Sequence, residues 1–442
     1  MGMFRRISLI WALAGLPLAA CASLPGGPST PRPPRSGAEV SSVRAEVPRD
    51  LAPRVDEADF VTLAADNAAF AFDLYRALRG GEGNLVYSPY SISTALAMTY
   101  AGAAGETARQ MAETLRYTLP QERLHPSFNA LGLLLDSRNL TFKDPNLEQE
   151  QTGVQLDVAN ALWGQVGFPF KAPFLETLAR SYDAGVQQVD FENAPEPARQ
   201  AINQWASDRT RGKIQDIIPP GAIQPDTRLV LANAIYLHAR WAHRFDERST
   251  HEAPFYLLDG SQVLGPMMRL TETLRYDEGE GYQAVELPYM GDQLAMLVIL
   301  PSKGQFAEFE SSLDADRLRA IRDVLAPAYI NLGLPRFEVE SNLPLSQTLK
   351  GMGMPEAFSE AADFSGMSDV PLSISDVLHK AYILVNESGT EAAAVTTVIV
   401  GVTSLPPDPK ELTIDRPFLF VLYDRQSGAV LFVGRVLNPV GK

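Results

Sequence analysis

The sequence predicts a protein of the α+β class, and three observations lead to this class. Apolar residues at helical spacing run over residues 59–79 and stop at Gly80 and Gly81. Short apolar segments separated by turn signals occupy residues 263–300 and 418–437, as is typical of strands. No internal repeat appears among the 442 residues. Helices and strands that follow one another in separate groups are typical of α+β domains.

The first element is a targeting segment, residues 1–20. Arg5 and Arg6 precede an apolar run, 7–18, that is too short for a permanent membrane span. The run ends in LAAC at 18–21, which resembles a bacterial lipobox, and this resemblance implies cleavage before Cys21 and lipid on its sulfur. An ordinary secretory signal is the alternative. The only cysteine of the chain stands where a lipobox needs it, which favours the lipoprotein.

The second element, residues 21–58, contains the lipidated Cys21 and a segment rich in Pro, Gly and Ser, LPGGPSTPRPPRSG. Such a composition cannot form a packed core, so we expect a flexible stalk between a membrane and a domain that begins at residue 59. We expect the bacterial cell envelope as the location, on the periplasmic or the surface side. Ala22 gives no inner-membrane retention signal, which favours the outer membrane.

The composition excludes several classes of function. A net charge of −15 argues against nucleic acid and anionic membrane surfaces as partners. One cysteine permits no intrachain disulfide. The five histidines form no H-E-x-x-H motif, and the spacing of His238, His243 and His251 matches no common ligand pattern, so we expect neither a metal nor a cofactor.

The segments after residue 80 can be assigned in order. Pro89 with serines around it marks the start of a helix that ends near Gly102. The polar segment 135–153 is predicted to be a surface loop, and 329–340, which contains a proline, an interrupted strand. Further helices are predicted at 105–115, 173–182, the first part of 198–218, 306–325 and 345–354. Further strands are predicted at 154–163, 185–191, 229–237, 263–276, 283–288, 293–300, 418–423 and 430–437.

The segment 382–404, YILVNESGTEAAAVTTVIVGVTS, combines two properties. Alternate residues from Thr390 to Val400 are small or β-branched and uncharged, so one face of a strand formed there could enter the middle of a sheet that lies over a core. An ordinary buried strand is the alternative interpretation. Three prolines within residues 406–409 follow, and they indicate an exposed, stiff tether. This order suits a loop that can become a strand.

The same segment resembles the hinge of the reactive loop of serpins, and the resemblance covers about residues 60–442. The hinge residues are Glu387, Gly389, Thr390, Glu391, Ala392, Ala393 and Ala394. The resemblance implies a large, mixed central sheet with a partly open centre, further β-sheets, about eight to nine helices and an exposed reactive loop at about 387–409. It also implies that five residues lie where the main sheet opens: Ser88, Ser91, Asn233, Trp241 and His379.

The resemblance implies a function as a suicide inhibitor of serine proteases, which forms a covalent complex and acts as a monomer. Counting seventeen positions with Glu387 as the first places the reactive bond at Thr403–Ser404, with Val402–Thr403 as the neighbouring alternative. The small, uncharged residue before the bond favours elastase-like or subtilisin-like enzymes. The protease supplies the chemistry, and this chain contains no G-x-S-x-G motif, so we expect no enzyme.

Two other functions are weaker alternatives. A non-inhibitory serpin, acting as a binding or scaffold protein, tends to carry charged, bulky or proline residues in its hinge. This hinge carries none apart from Glu391, although Ser388 stands where the family often has a charged residue. A lipid-anchored hydrolase would need a nucleophile and a base that the sequence does not reveal.

Overall fold

Two large β-sheets and nine α-helices account for most of residues 39–143, 150–390 and 408–441, which are the residues that the computed structural model describes. The helices are α1 Glu57–Leu78, α2 Pro89–Tyr100, α3 Gly105–Thr114, α4 Gln121–Asp136, α5 Ala172–Tyr182, α6 Pro195–Arg209, α7 Phe306–Ser312, α8 Ala315–Val324 and α9 Ser346–Met352.

Seventeen strands occur in the described ranges. They are β1 Ser41–Val43, β2 Leu85–Tyr87, β3 Leu140–Lys143, β4 Glu150–Gln165, β5 Val186–Val189, β6 Leu229–Arg240, β7 His251–Tyr256, β8 Gln262–Gly279, β9 Tyr282–Pro288, β10 Leu294–Pro301, β11 Ala326–Pro335, β12 Phe337–Pro344, β13 Asp376–Asn386, β14 Gly389–Thr390, β15 Lys410–Thr413, β16 Phe418–Asp424 and β17 Val430–Val436.

The main sheet has the strand order β1-β5-β4-β6-β14-β13-β12, with β3 paired to β4 beside this path. Its centre is mixed, because β6 runs antiparallel to β4 and parallel to β13. The sequence of β6, LVLANAIYLHAR, is apolar along most of its length, which suits a strand that is buried on both faces. The predicted α+β class with a large mixed sheet is confirmed.

Two hydrophobic cores cover the two faces of β6. Leu231 and Ile235 belong to the main core, which also contains the buried residues of α2. Ala232 and Ala234 belong to a smaller core that contains Ile202 of α6. Successive side chains of a strand point to opposite faces, so odd-numbered residues of β6 face α2 and even-numbered ones face α6. Asn233 therefore points into the main core.

The second sheet has the order β15-β11-β8-β9-β10-β16-β17-β2, with β7 paired to β8. Every residue of β10, β16 and β17 is buried. The bridge between Trp241 and Tyr289 joins the end of β6 to the residue that follows β9, and so connects the two sheets at one end of the main sheet. That end holds the site described below.

Three segments differ from the sequence-based expectations. Residues 135–153 are not a simple loop, because β3 and β4 form an antiparallel pair there, and residues 144–149 between them lie outside the described ranges. The helical stretch 306–325 is two helices, because the side chain of Asp314 accepts a hydrogen bond from the Arg317 backbone and starts α8. Helix α4 was not predicted.

The end of the segment expected to be a stalk lies against the domain. Strand β1 pairs with β5 at the edge of the main sheet. The guanidinium of Arg49 donates to Asn129 at 2.8 Å and to Asp136 at 3.0 Å, and both partners lie on α4. Residues 1–38, including the leader and Cys21, lie outside the described residues. No described helix has both the length and the apolar character that a bilayer span requires.

Candidate functional site: the hinge and the centre of the main sheet

The hinge begins where β13 ends. After Asn386 the chain turns through two residues and returns as β14, which lies between β13 and β6 and is antiparallel to both. Thr390 lies opposite Val385 on one side and Ala239 on the other. Gly389 and Thr390, near the start of the loop, therefore already occupy a strand position between β6 and β13.

Gly389 is the residue that permits this close approach. Its φ of 149° belongs to a region that side chains rarely adopt. A Cβ on Gly389 would lie 2.0 Å from the carbonyl oxygen of Ala239, a distance that no real contact reaches. Only glycine fits here, so the glycine of the hinge motif has a steric cause.

Thr390 is 1% exposed, and its side chain points into the core. Its hydroxyl lies 2.6 Å from the hydroxyl of Tyr289. The Tyr289 ring stacks on Trp241 with 4.5 Å between ring centroids and an interplanar angle of 10°. The indole N–H of Trp241 donates to the carbonyl oxygen of Asn386 at 2.9 Å. Trp241 and Tyr289 thus hold the turn between β13 and β14 from beneath.

Glu387 ties the turn to the second sheet. Glu387 is 3% exposed, and its carboxylate accepts hydrogen bonds at 2.8 Å from Arg336, which lies between β11 and β12. The hydroxyl of Thr250 also donates to it, at 2.5 Å. Burial alone would raise the pKa of Glu387, but the bonds from Arg336 and Thr250 outweigh it and lower the pKa below the usual value. The ionised carboxylate of Glu387 therefore holds the turn against Arg336 and Thr250.

A second polar cluster lies farther down the sheet, beneath its centre. Ser88 caps α2, and its hydroxyl accepts from the backbone of Ser91 at 3.2 Å. The Asn233 amide donates to the hydroxyl of Ser91 at 2.6 Å and also to the side chain of Asn160 on β4. The ring of His379 hydrogen bonds to the Asn233 side-chain oxygen. We call these five residues the sheet-centre cluster; they connect α2, β4, β6 and β13.

The contacts of His379 fix its charge and its tautomer. The backbone N–H of Ser88 donates to Nε2 at 3.0 Å, so Nε2 carries no proton. Nδ1 must then carry the proton and donate to the Asn233 oxygen. Burial lowers the pKa of His379 to about 3, so the ring is neutral at physiological pH. The bond from His379 to Asn233 crosses directly from β13 to β6.

Below the hinge, β6 and β13 pair with each other. Six residue pairs, from Val230–Asp376 to Ile235–Ala381, form a parallel ladder. A strand inserted here would have to separate this ladder and break the bond between His379 and Asn233. The sheet is therefore open at one end, where β14 lies, and closed at its centre.

The structure brings four of the predicted sheet-opening residues together, and it places the fifth, Trp241, at the hinge instead. Sequence reasoning missed Asn160, Tyr289, Arg336 and Thr250. Asn160 had a signal, because it is a polar residue inside the apolar stretch 154–163. The other three had none. Hinge residues 391–394 and the reactive bond Thr403–Ser404 lie outside the described residues.

The described residues contain no group of three or more His, Cys, Asp or Glu side chains that could hold a metal ion. They provide instead a strand position between β6 and β13, the ion pair of the buried Glu387 with Arg336, and hydrogen bonds that join β13 to β6.

Comparison with known proteins shows the family to which the chain belongs. Residues 65–439 match the family model described as serpin (serine protease inhibitor). An uncharacterised serpin-like protein of Thermococcus kodakarensis is 38% identical over 374 residues, which are 84% of each chain. The leukocyte elastase inhibitor of Xenopus laevis is 35% identical and covers 84% of this chain and 97% of its own length.

Solved structures agree with this result. The thermophilic serpin tengpin in its native state aligns with a TM-score of 0.77 at 28% identity, over 91% of this chain and all of its own. Thyroxine-binding globulin in complex with thyroxine aligns with a TM-score of 0.75 at 30% identity, over 86% of this chain and all of its own. The hinge and the sheet-centre cluster lie within the matched residues, and this chain therefore belongs to the serpin family.

Proposed function

We propose that this protein inhibits serine proteases by inserting its cleaved loop into the main sheet. The observation that carries the proposal is the position of Gly389 and Thr390 between β6 and β13. Both strands are already in register with the start of the loop, and they pair with each other only farther down. Insertion would extend a strand that already exists.

If the inserted loop continued β14 in the same register, each further residue would move one position back along β6 and along β13. Val400 would then lie opposite Leu229, the first residue of β6. Thr396 would lie between Asn233 and His379, on the same face as Thr390. Its hydroxyl would stand where these two side chains now meet, and it could bond to both.

The energetics favour insertion once the loop is free. One parallel ladder between β6 and β13 would be replaced by two antiparallel ladders, one on each side of the new strand. The backbone groups of residues 391–400 would gain partners in the sheet. The face that enters the core carries small or β-branched residues and no charge. No unpaired charge would therefore be buried.

The trapping step follows from ordinary protease chemistry. The protease serine oxygen attacks the carbonyl carbon of Thr403, and the bond from that carbon to the nitrogen of Ser404 breaks. The serine proton passes through the protease histidine to the leaving amine of Ser404. The product is an ester between Thr403 and the protease. Thr403 follows Val400 by three residues, so insertion would carry this ester past the far end of β6.

A small residue at Thr403, or at Val402 if the register shifts by one, favours elastase-like and subtilisin-like proteases as targets. The relative that is named leukocyte elastase inhibitor accords with this class. The test is incubation of the mature chain with elastase-like, subtilisin-like and trypsin-like proteases, followed by denaturing gels and mass spectrometry. We expect a complex at the summed mass and a released peptide that begins at Ser404. Elastase with its catalytic serine changed to alanine is the control.

Cleavage near Thr403 without a surviving complex, for every enzyme, would contradict the proposal. It would favour a binding serpin, as thyroxine-binding globulin in complex with thyroxine is. Thermal melting of the cut chain then tests loop insertion separately from the trapping of a protease. A large gain in melting temperature after cleavage would mean that the loop inserts without trapping an enzyme.

We also propose that the protein is a lipoprotein of the bacterial cell envelope, anchored through Cys21. The lipobox-like LAAC motif at 18–21 supports this proposal. Two or three acyl chains hold a protein at a membrane far more firmly than one. Metabolic labelling with an alkyne fatty acid should mark the wild type, and Cys21→Ser should remove both the label and the membrane fraction. Equal labelling of both proteins would contradict the anchor.

A further inference from the structure

A cavity of about 120 Å³ lies beneath β4, between helices α2, α4 and α5. Asp136 lines this cavity, and because its side chain is 61% exposed, the cavity reaches solvent at that residue. Apolar side chains from α2, α4 and β4 form the body of the wall: Met98, Phe128, Leu135, Leu156 and Val158. The domain therefore contains a pocket with an apolar body and an entrance.

Gly132 on α4 keeps the outer part of the cavity open. A Cβ on Gly132 would lie 2.8 Å from Nη2 of Arg49 and 3.6 Å from the hydroxyl oxygen of Tyr90, and all three residues line the cavity. The guanidinium of Arg49 donates to Asp136 at 3.0 Å, so charges of both signs lie at the entrance. Either sign of charge on an entering molecule would be repelled by one of them, whereas an uncharged molecule would not.

Asn160 lines the end of the cavity nearest the sheet-centre cluster, and the hydrogen bonds of the cluster fix the direction of its amide. The amide of Asn233 donates to the hydroxyl of Ser91 at 2.6 Å, so the proton of Ser91 goes to Asn160, at 3.1 Å. Asn160 must therefore present its oxygen to the cluster. Its amide nitrogen points away from the cluster.

The amide nitrogen of Asn160 has no hydrogen-bond partner among the residues that the structure describes. Asn160 is also only partly buried, although it lies opposite the fully buried Asn233 on the face of β4 that packs over the main core. The cavity accounts for this exposure, because Asn160 lines it. A donor that faces a pocket in this way favours a ligand that carries a hydrogen-bond acceptor.

We propose that this cavity binds a small, uncharged molecule with an apolar body and one hydrogen-bond acceptor, and that the bound molecule slows loop insertion. The apolar body would contact Met98, Leu156 and Val158, and the acceptor would take the free N–H of Asn160. An engineered apolar cavity of about 150 Å³ takes benzene, so a molecule of about seven non-hydrogen atoms fits a cavity of this size.

The effect on insertion, which rests on the proposed inhibition, follows from how α2 and β4 are attached. A new strand would separate β6 from β13 by about 4.8 Å. Strand β4 would move with β6, because the two pair continuously from Val154–Ala239 to Gly164–Leu229. Helix α2 is tied to β13 instead, since the backbone N–H of Ser88 donates to His379 at 3.0 Å.

Opening of the sheet would therefore shift β4 over α2 and change the shape of the cavity between them. A molecule that fits the cavity of the closed sheet would bind the open sheet less well. Binding then favours the closed sheet by mass action, and insertion becomes slower as the ligand concentration rises.

The first experiment measures binding with two probes of one shape. Cyclohexanone has a carbonyl acceptor, and methylenecyclohexane has a methylene group in its place. Their dissociation constants for the mature chain are measured by ligand-detected NMR at pH 8, and for cyclohexanone we expect about 1 mM. The side-chain amide signal of Asn160 should shift with cyclohexanone and stay in place with methylenecyclohexane. An unchanged Asn160 signal at saturating cyclohexanone would overturn the proposed contact.

Two variants make the test specific, and their melting temperatures show that they fold. Asn160→Asp keeps the oxygen that accepts from Ser91 and Asn233 and replaces the free N–H by an oxygen. We expect it to bind cyclohexanone at least fivefold more weakly and methylenecyclohexane as the wild type does. Gly132→Leu fills the outer part of the cavity and should weaken both probes at least tenfold. Wild-type affinity of both variants for cyclohexanone would overturn the site.

The second experiment measures insertion with pancreatic elastase as the protease. Cyclohexanone at about ten times its dissociation constant should slow insertion by up to about elevenfold. The number of inhibitor molecules consumed per trapped elastase should then rise at least threefold for the wild type. It should stay constant for Gly132→Leu, which controls for any effect of cyclohexanone on elastase. Constant consumption by the wild type would overturn the effect on insertion. Absence of any complex with elastase would overturn the proposed inhibition, whereas the binding measurements test the cavity by themselves.

Discussion

Thr390→Arg is the substitution that tests loop insertion most directly. Thr390 is buried, and Tyr289 is its hydrogen-bond partner among the described side chains. An arginine there would carry its charge into the main core beneath the sheet. We therefore expect the hinge to leave the sheet and the loop to be cut without trapping the protease.

The size of the effect follows from the burial. A buried charge that lacks a partner costs about 3–5 kcal/mol. If about 2 kcal/mol of this cost is already present in the transition state of insertion, insertion slows about thirtyfold. Hydrolysis of the ester at Thr403 would then compete successfully. The number of inhibitor molecules consumed per trapped protease should rise from near one to ten or more.

The assay is a titration of elastase with the mature chain, read by residual activity and by denaturing gel. Thr390→Val is the matched control, because it keeps the volume and the branched shape and leaves only the Tyr289 hydroxyl without its partner, at about 1 kcal/mol. We expect Thr390→Val to inhibit with a value near one. A value near one for Thr390→Arg as well would refute the insertion mechanism for this chain.

Three further changes test other parts of the site. Burial places the pKa of folded His379 at about 3, against 6.5 when unfolded, so the unfolded chain binds one more proton below pH 6.5. As the pH is lowered from 6 to 4, the free energy of unfolding should therefore decrease more steeply in the wild type than in His379→Gln, by about 1.4 kcal/mol per pH unit, as measured by urea titrations. Glu387→Lys sets two cations side by side, so gentle heating should yield more oligomers in size-exclusion chromatography, and adding Arg336→Glu should lower that fraction again. Gly389→Val places a Cβ 2.0 Å from the Ala239 carbonyl oxygen, so protease cleavage within residues 387–390 should become about tenfold faster.

The sequence located the start of α2 because its cause is local: Ser88 precedes Pro89 and caps the helix. The hinge was located in another way, through its resemblance to a known family. Its residue types have tertiary causes, since the backbone oxygen that requires Gly389 belongs to the distant Ala239 and Thr390 is small because it enters a core. The resemblance therefore located the hinge, and the structure gives the physical reason for its residues.

Contacts between distant segments could not be predicted in this way. Arg336 and Thr250 reach Glu387 from two loops, and no spacing in the sequence connects them. The polar segment 135–153 carries strands because β3 and β4 pair with each other, a tertiary gain that outweighs its polar composition. Helix α4 escaped prediction because Pro126 lies inside it, where a proline lacks the N–H that a helix uses and normally ends or kinks the helix.

The sheet-centre cluster explains why the proposed insertion would wait for cleavage. The Nδ1–H of His379 donates to the side-chain oxygen of Asn233 in the closed sheet, so opening the ladder between β6 and β13 would leave these two buried atoms without partners for a time. The inserted strand would bring Thr396 to this level and restore partners to both. The cost therefore falls on the open intermediate and not on the final state. A barrier of this kind would keep the closed form kinetically stable even if the inserted form were the more stable one.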